Sequence, residues 1–298
     1  MRYAAIDIGS NAVRLLIAEI NLDSKGNYIF NKDTLIRVPL RLGDDAFLQK
    51  HLSDKKAGLL VKTMSAFRNL MDVYEVEDYM ACATSAMREV DNGPQIVKDI
   101  QKTGIDLKII DGSQEAEIIY SNHIIEKLDV KKDYLYIDVG GGSTELSIFN
   151  SGELTASQSF NIGTIRILDN QDKDETWDEM KKWIKSKVKK SKPLIGIGSG
   201  GNINKLFSLS NEKAGELLSY DKLKSLSDML NSYSLKDRIQ VLGLKPDRAD
   251  VIIPACKIFI NVMKWAKVKE IAVPRIGLVD GVIQTLIDKN LKKITLNK

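Results

Sequence analysis

The stretch Tyr134-Leu135-Tyr136-Ile137-Asp138-Val139-Gly140-Gly141-Gly142-Ser143-Thr144-Glu145-Leu146-Ser147-Ile148-Phe149 decides how this chain is read. An apolar run ends at an Asp, and a glycine-rich turn follows. Leu146 and Ile148 then alternate with Glu145 and Ser147, the period of a half-buried strand. The turn therefore joins strand to strand, whereas Rossmann and P-loop signatures require a helix after the glycines. The N-terminus repeats the arrangement: Tyr3 to Asp7, then Gly9-Ser10-Asn11, then the strand-like Val13 to Ile20. Asp7 and Asp138 stand 131 residues apart, the mark of a duplication with one hairpin heading each of two domains.

Working outward, Ser53 to Tyr74 reads as a helix burying Leu59, Leu60, Met64, Phe67, Leu70 and Met71. Strands are expected at Tyr79–Thr84, Ile105–Ile110, Pro193–Ile197 and Ile271–Pro274. Gly93-Pro94 opens a helix that Gly104 closes, and Ser113 caps another running to about Leu128. Thr176 with Glu179, and Ser234 with Asp237, read as capping pairs, the first being the better match. Arg248 to Ala266 reads as a long helix kinked at Pro254, and Gly281 to Lys292 as a last helix. Alternating strands and helices give α/β domains with mixed sheets.

Bulk properties agree. A length of 298 residues favours two domains, and 43% hydrophobic with 28% charged residues describes an ordinary globular protein. The net charge of +4 identifies no partner. Cys82 and Cys256 form neither a disulfide framework nor a zinc spacing, which suits a reducing cytoplasm. Met1-Arg2-Tyr3 runs straight into a strand, so no signal peptide is expected, and no apolar run nears the ~20 residues needed to span a bilayer. A cytoplasmic location without membrane attachment is the expectation. Lys181, Lys182, Lys185, Lys187, Lys189, Lys190 and Lys192 surround Trp183; the run either steers a polyanion or is a solvated helix face. His51 and His123 have no metal spacing, and no motif for sequence-specific nucleic-acid binding is present.

Phosphate chemistry fits the turns. Glycines let successive N–H groups converge on an anion, and Ser or Thr hydroxyls add donors. Gly9-Ser10-Asn11 and Gly140 to Thr144 provide two such nests, and Gly198 to Asn202 a third candidate. Asp7 and Asp138 are candidates to hold Mg²⁺ directly or through water; the alternative is that they are turn residues bonding their own backbone. Glu115, in the first turn of a helix, is the candidate base, with helix-dipole complementation as its alternative role.

Ala5-Ile6-Asp7-Ile8-Gly9-Ser10-Asn11, Ala83-Thr84-Ser85-Ala86-Met87-Arg88, Ile110-Asp111-Gly112-Ser113-Gln114-Glu115-Ala116 and Ile137 to Glu145 resemble, in order, the motifs of the exopolyphosphatase / guanosine pentaphosphate phosphohydrolase (Ppx/GppA) family. Leu40-Arg41-Leu42-Gly43 and Arg248-Ala249-Asp250-Val251-Ile252 also fit, so the similarity covers nearly the whole chain. The resemblance implies two actin-like (ribonuclease H-like) α/β domains with mixed sheets and a cleft between them, spanning 1–121 joined by 281–298, and 122–280. It implies Glu115 as catalytic glutamate, Asp138 and Glu145 as metal-associated carboxylates, the two glycine loops as phosphate-binding, and Arg14 and Arg88 as phosphate-facing. Two departures stand out. Gln114 replaces a Glu, and Gly277-Leu278-Val279-Asp280-Gly281 replaces Gly-Leu-Arg-Glu-Gly, with Arg275 nearby. The chain resembles the short class, without a C-terminal helical extension.

The expected activity is release of terminal phosphate from inorganic polyphosphate, with pppGpp second, by Mg²⁺- or Mn²⁺-assisted in-line attack of water oriented by Glu115. A monovalent cation is an additional candidate cofactor and a second copy of the chain a candidate partner. Domain closure is expected, with hinges near residues 121 and 280. The rivals are a non-catalytic polyphosphate or alarmone sensor and a small-molecule kinase of the same superfold.

Overall fold

The computed structural model describes residues 1–24, 28–121, 129, 131–188 and 193–296. Contacts divide the chain into two compact units, Met1–Ile124 with Leu278–Lys298, and Ile125–Gly277.

The first unit runs β1 (Arg2–Ile8), β2 (Val13–Leu22), β3 (Tyr28–Val38), α1 (Leu42–Gln49), α2 (Asp54–Val73), β4 (Asp78–Ala83), α3 (Ser85–Arg88), α4 (Gly93–Gln101), β5 (Leu107–Ile109) and α5 (Gly112–Tyr120). Its sheet has the order β3-β2-β1-β4-β5. The first three strands form an antiparallel meander, while β4 and β5 add in parallel. β1 is central, which is why Tyr3 to Ile8 is buried on both faces and reads as a nearly continuous apolar run.

The second unit runs β6 (Asp133–Val139), β7 (Thr144–Asn150), β8 (Glu153–Phe160), α6 (Thr164–Leu168), α7 (Asp174–Lys187), β9 (Leu194–Ser199), α8 (Gly201–Ser210), β10 (Leu218–Ser219), α9 (Tyr220–Ser232), α10 (Leu235–Gln240), α11 (Pro246–Ala249), α12 (Ile252–Ala266) and β11 (Glu270–Ala272). The same plan recurs: a β6-β7-β8 meander, with β9 and β11 parallel to β6 and β10 closing the edge. α12 anchors this core through Ile258, Phe259, Val262 and Met263, all fully buried, each contributing about 1.5–3 kcal/mol of burial. The last helix, α13 (Leu278–Leu296), belongs to the first unit and packs on β1, β2, β4 and α5. Gly281 allows this, because a Cβ there would overlap the Ile118 carbonyl. Among the described residues no helix is long and apolar enough to cross a membrane.

Several local expectations are corrected. Asp111, not Ser113, caps α5. α7 starts at Asp174 after Lys173 without a side-chain cap, so Thr176 lies inside the helix, whereas Ser234 does cap α10 by accepting from the Asp237 N–H. Arg248 to Ala266 is two helices broken after Ala249, and Pro254 sits in the first turn of α12, where its missing N–H costs nothing. Leu59 lies on the exposed face of α2. The sequence reading missed β3 and β8, edge strands with many exposed residues and little alternation. His123, Lys189, Lys190, Lys192 and the end of the helix expected to reach Leu128 lie outside the described residues.

Candidate active site

In the first unit, four motifs converge on the end of β1. Asp7 faces Arg14 across the β1–β2 pair, and the guanidinium closes on Asp7 Oδ2 at 2.5 Å. The intervening loop turns tightly, with the Gly9 N–H donating to Ala12 O. Its carbonyls are held from outside. Gly43 N–H donates to Ser10 O at 2.9 Å and Arg41 N–H to Asn11 O at 3.0 Å, so the Leu40-to-Gly43 motif is a cradle for the loop. Ser10 Oγ meets Ser85 Oγ at 2.8 Å, tying the loop to the start of α3. Arg88, at the end of α3, donates to Ile110 O at 2.6 Å and to Glu115 Oε2 at 3.3 Å. Arg88 thus orients Glu115 in this structure.

Glu115 is 9% exposed, in the first turn of α5. That turn is fixed by a capping box in which Asp111 accepts from the Ser113 and Gln114 N–H groups, and Gln114 Oε1 accepts from the Asp111 N–H. The Ser113 hydroxyl, then the backbone bonds, hold the Asp111 carboxyl below its ordinary value. Gln114 therefore does a capping task that Gln and Glu perform equally, which accounts for its departure from the family pattern. Burial, with the charges of Asp7 and Glu115 added, pushes the Cys82 thiol up to about 12. Cys82 is the β4 neighbour of Asp7 and is a buried, protonated spacer.

In the second unit, the β6–β7 hairpin repeats this geometry with different chemistry. Gly140 N–H donates to Ser143 O at 2.9 Å, matching Gly9 and Ala12. Thr164 and Ile165 N–H groups donate to Gly140 O and Gly141 O at 3.0 and 2.9 Å, and Arg166 Nε donates to Gly142 O at 2.6 Å. Peptide planes are trans, so each held carbonyl aims the next N–H the opposite way. The N–H groups of Gly141, Gly142 and Ser143 therefore point together, an anion nest. The Thr144 hydroxyl donates instead to Ile162 O at 2.6 Å, leaving Ser143 as the loop's hydroxyl donor. Asp138 and Glu145 are cross-strand partners, which places their Cβ atoms about 4.5–5.5 Å apart on one face. Ser199 Oγ orients Asp138 at 3.1 Å and Ser159 Oγ orients Glu145 at 2.8 Å. Two oriented carboxylates are a hard-oxygen donor pair suited to Mg²⁺ or Mn²⁺. Among the described residues no cluster of three His, Cys, Asp or Glu side chains is gathered, so phosphate and water oxygens would complete the coordination.

The third glycine turn differs, running from β9 into α8. Arg248 donates to Gly201 O, and its guanidinium covers Gly201 so closely that a side chain there would collide with it. The sequence reading did not identify Gly163, Arg166, Ser159 and Ser199. Ser199 was visible only as part of a third glycine turn, and nothing local marks Arg166, whose target lies 24 residues upstream. In the altered motif that opens α13, Val279 is buried and Asp280 pairs with Lys32 at 2.6 Å, both within the first unit. Arg275 is exposed in left-handed backbone.

Residues 34–290 match the Ppx/GppA phosphatase family. A bifunctional 3-dehydroquinate synthase/phosphatase of Fusobacterium nucleatum is 30% identical over 84% of this chain, which covers 41% of that protein. The chain therefore spans about two-fifths of that relative. Exopolyphosphatase 1 of Mycobacterium leprae is 22% identical over 97% of this chain and 90% of its own length. The crystal structure of an exopolyphosphatase from Cytophaga hutchinsonii superposes with a TM-score of 0.81 at 25% identity, covering 97% of this chain and 98% of that one, and has the same mixed-sheet, actin-like units. With the motifs in order, the hairpins built as the motifs require and the match running through most of the chain, this protein belongs to the Ppx/GppA phosphatase family.

Proposed function

We propose that this protein hydrolyses terminal phosphate from inorganic polyphosphate, with pppGpp as a second substrate of the same chemistry. The observation that carries this reading is the Gly140–Ser143 nest, with Asp138 and Glu145 paired at its foot. Three converging N–H donors suit a phosphoryl group whose charge is spread over its oxygens. The Mycobacterium leprae and Cytophaga hutchinsonii relatives, both named exopolyphosphatases, support the choice of substrate.

Glu115, held by Arg88 and the α5 cap, orients a water for in-line attack. The water oxygen bonds to the terminal phosphorus while its proton passes to the Glu115 carboxylate. The bridging P–O bond breaks, so orthophosphate leaves and the shortened chain keeps the bridging oxygen as its new terminus. The loop N–H groups stabilise the charge on the equatorial oxygens, and Ser143 adds a hydroxyl donor. Asp138 and Glu145 would hold Mg²⁺ or Mn²⁺, whose charge would neutralise phosphate oxygens. Asp7 Oδ2 is already taken by Arg14, so Asp7 is the weaker candidate for holding an ion.

The test is phosphate release with Mg²⁺ from short polyphosphate, long polyphosphate and pppGpp, for the wild type and Glu115→Gln. Loss of a general base lowers turnover by about 10²–10⁴-fold. A Glu115→Gln protein with wild-type turnover would refute the base. Wild-type protein that binds these substrates and releases no phosphate would refute the hydrolase and leave the sensor.

A further inference from the structure

The loop that binds phosphate in this reading does not hold its own shape. Its three glycines impose no rotamer and little backbone preference, yet its N–H groups converge only while each preceding carbonyl is turned away. Two carbonyls are turned by backbone: Thr164 N–H takes Gly140 O and Ile165 N–H takes Gly141 O. These are the first N–H groups of α6, a helix without a side-chain cap, so loop and helix satisfy each other. The third carbonyl, Gly142 O, belongs to the peptide whose N–H is that of Ser143. Arg166 Nε holds it at 2.6 Å, and Arg166 is itself only 6% exposed.

The duplicated hairpin shows what that contact replaces. Gly142 corresponds to Asn11 at the same 131-residue offset as the two Asp residues. In the first copy the Asn11 carbonyl is held by a backbone group, the Arg41 N–H at 3.0 Å. Among the described residues no backbone group donates to this carbonyl in the second copy, which uses a buried guanidinium. A guanidinium is a charged donor, and its bond to a carbonyl is stronger than a neutral one. It also places positive charge directly behind the peptide that faces the anion.

We infer that Arg166 is a positioning residue for phosphate binding: its guanidinium locks the Gly142–Ser143 peptide with the Ser143 N–H toward the substrate. This rests on reading Gly140–Ser143 as the phosphate loop. Arg166 lies behind the peptide and does not touch substrate, so its loss weakens the grip on the transferring phosphoryl group without removing the base.

The protein is titrated with tripolyphosphate while the backbone amide resonances of Gly141, Gly142 and Ser143 are followed, for wild type, Arg166→Met and Arg166→Lys. Melting curves accompany each. The expected result is that wild-type amides shift on binding, and Arg166→Met binds about 10-fold more weakly, the effect of one lost charge-assisted bond. The Ser143 amide shift should shrink most, and kcat should fall with the pH profile unmoved. Should Arg166→Met fail to fold, Arg166→Lys decides. Its ammonium lacks the planar Nε–H, and its affinity should drop by about 3-fold or more with the melting temperature kept. A folded variant that binds as wild type, with the same Ser143 shift, overturns the role of Arg166 and leaves the phosphatase reading standing. Wild-type amides that ignore tripolyphosphate overturn both.

Discussion

Replacing Gly163 by Ala tests how tightly the Gly140–Ser143 loop is held. A Cβ at 163 would overlap three backbone atoms: the carbonyl oxygen and carbon of Gly141 and the carbonyl carbon of Gly142. Ordinary contact begins near 3.4 Å, so loop and α6 must part by about 1 Å, since neither side is a flexible side-chain end. The Thr164–Gly140 and Ile165–Gly141 bonds, now 3.0 and 2.9 Å, would stretch out of bonding range. Two such bonds contribute about 1–3 kcal/mol together, and overpacking adds about 1–3 kcal/mol. A total of about 2–6 kcal/mol in a unit of this size lowers its melting temperature by very roughly 5–20 °C. A 1 Å misplacement of a binding loop costs turnover about 10²-fold. The assay is calorimetric melting together with phosphate release. Gly58→Ala is the control: nothing lies within 4 Å of it on α2, and it should stabilise by about 0.5–1 kcal/mol. A Gly163→Ala protein that melts within about 2 °C of wild type, a change of roughly 1 kcal/mol or less, and keeps its turnover would refute the loop–helix clamp.

Gln114→Glu should leave stability within ~0.5 kcal/mol and turnover unchanged, since both side chains complete the capping box, whereas Gln114→Ala should lose about 0.5–1 kcal/mol and loosen Glu115; melting and kcat check both. Asp138→Asn and Glu145→Gln should raise the Mg²⁺ concentration for half-maximal activity by at least ~10-fold, more than Asp7→Asn does, because Arg14 already occupies an Asp7 oxygen; a Mg²⁺ titration decides, and equal shifts for all three would overturn the assignment. Asp45 is opposed by burial, but the Ser53 hydroxyl and N–H, with Lys56, hold its carboxyl below the ordinary 3.8. A lowered carboxylate contributes stability above its unfolded value and loses it as pH falls through the lowered one. Asp45→Asn should therefore melt lower at pH 7 and show a flatter acid limb below about pH 4, and an unchanged acid limb would count against it.

What the sequence made legible is what strand periodicity and turn chemistry encode locally. Asp7, Asp138 and the glycine turns sit where period-2 alternation and Gly clusters said they would, at hairpin ends. Ser53 announces α2 by the same local logic, because a cap bonds within three residues. Caps were misread where two candidates stood close together: Asp111 and Ser113 are both capping types, and only the capping-box geometry with Gln114 selects the first. The edge strands β3 and β8 escaped because exposed edges carry mixed polar and apolar residues on both faces. Arg166 escaped for a different reason. Its partner is a carbonyl, a group every residue has, so no residue type at 142 advertises the contact. Arg88 carried a signal of basic character, but only the fold shows it turned onto Glu115 and Ile110 O.

The two hairpins also differ in a way that suits them to two tasks. Both keep an Asp at the end of the first strand, a Gly N–H closing onto the residue three ahead, and loop carbonyls pinned from behind. They differ in the cross-strand partner of the Asp, which is Arg14 in the first copy and Glu145 in the second. An Asp facing Arg forms an internal ion pair, so that hairpin is electrostatically closed and its loop can serve as a scaffold for Ser85, Arg88 and, through them, Glu115. An Asp facing Glu supplies two hard oxygens on one face, so that hairpin is suited to a divalent ion and the phosphate it accompanies. Exchanging the partners makes the point testable. Arg14→Glu in the first hairpin should create a second carboxylate pair and destabilise that unit, because like charges directly opposite repel. Glu145→Arg should place a guanidinium against Asp138 and abolish the Mg²⁺ dependence of phosphate binding while leaving the loop's N–H nest in place. Retention of a wild-type Mg²⁺ requirement in Glu145→Arg would show that the ion is held elsewhere, and the division of labour between the hairpins would fall with it.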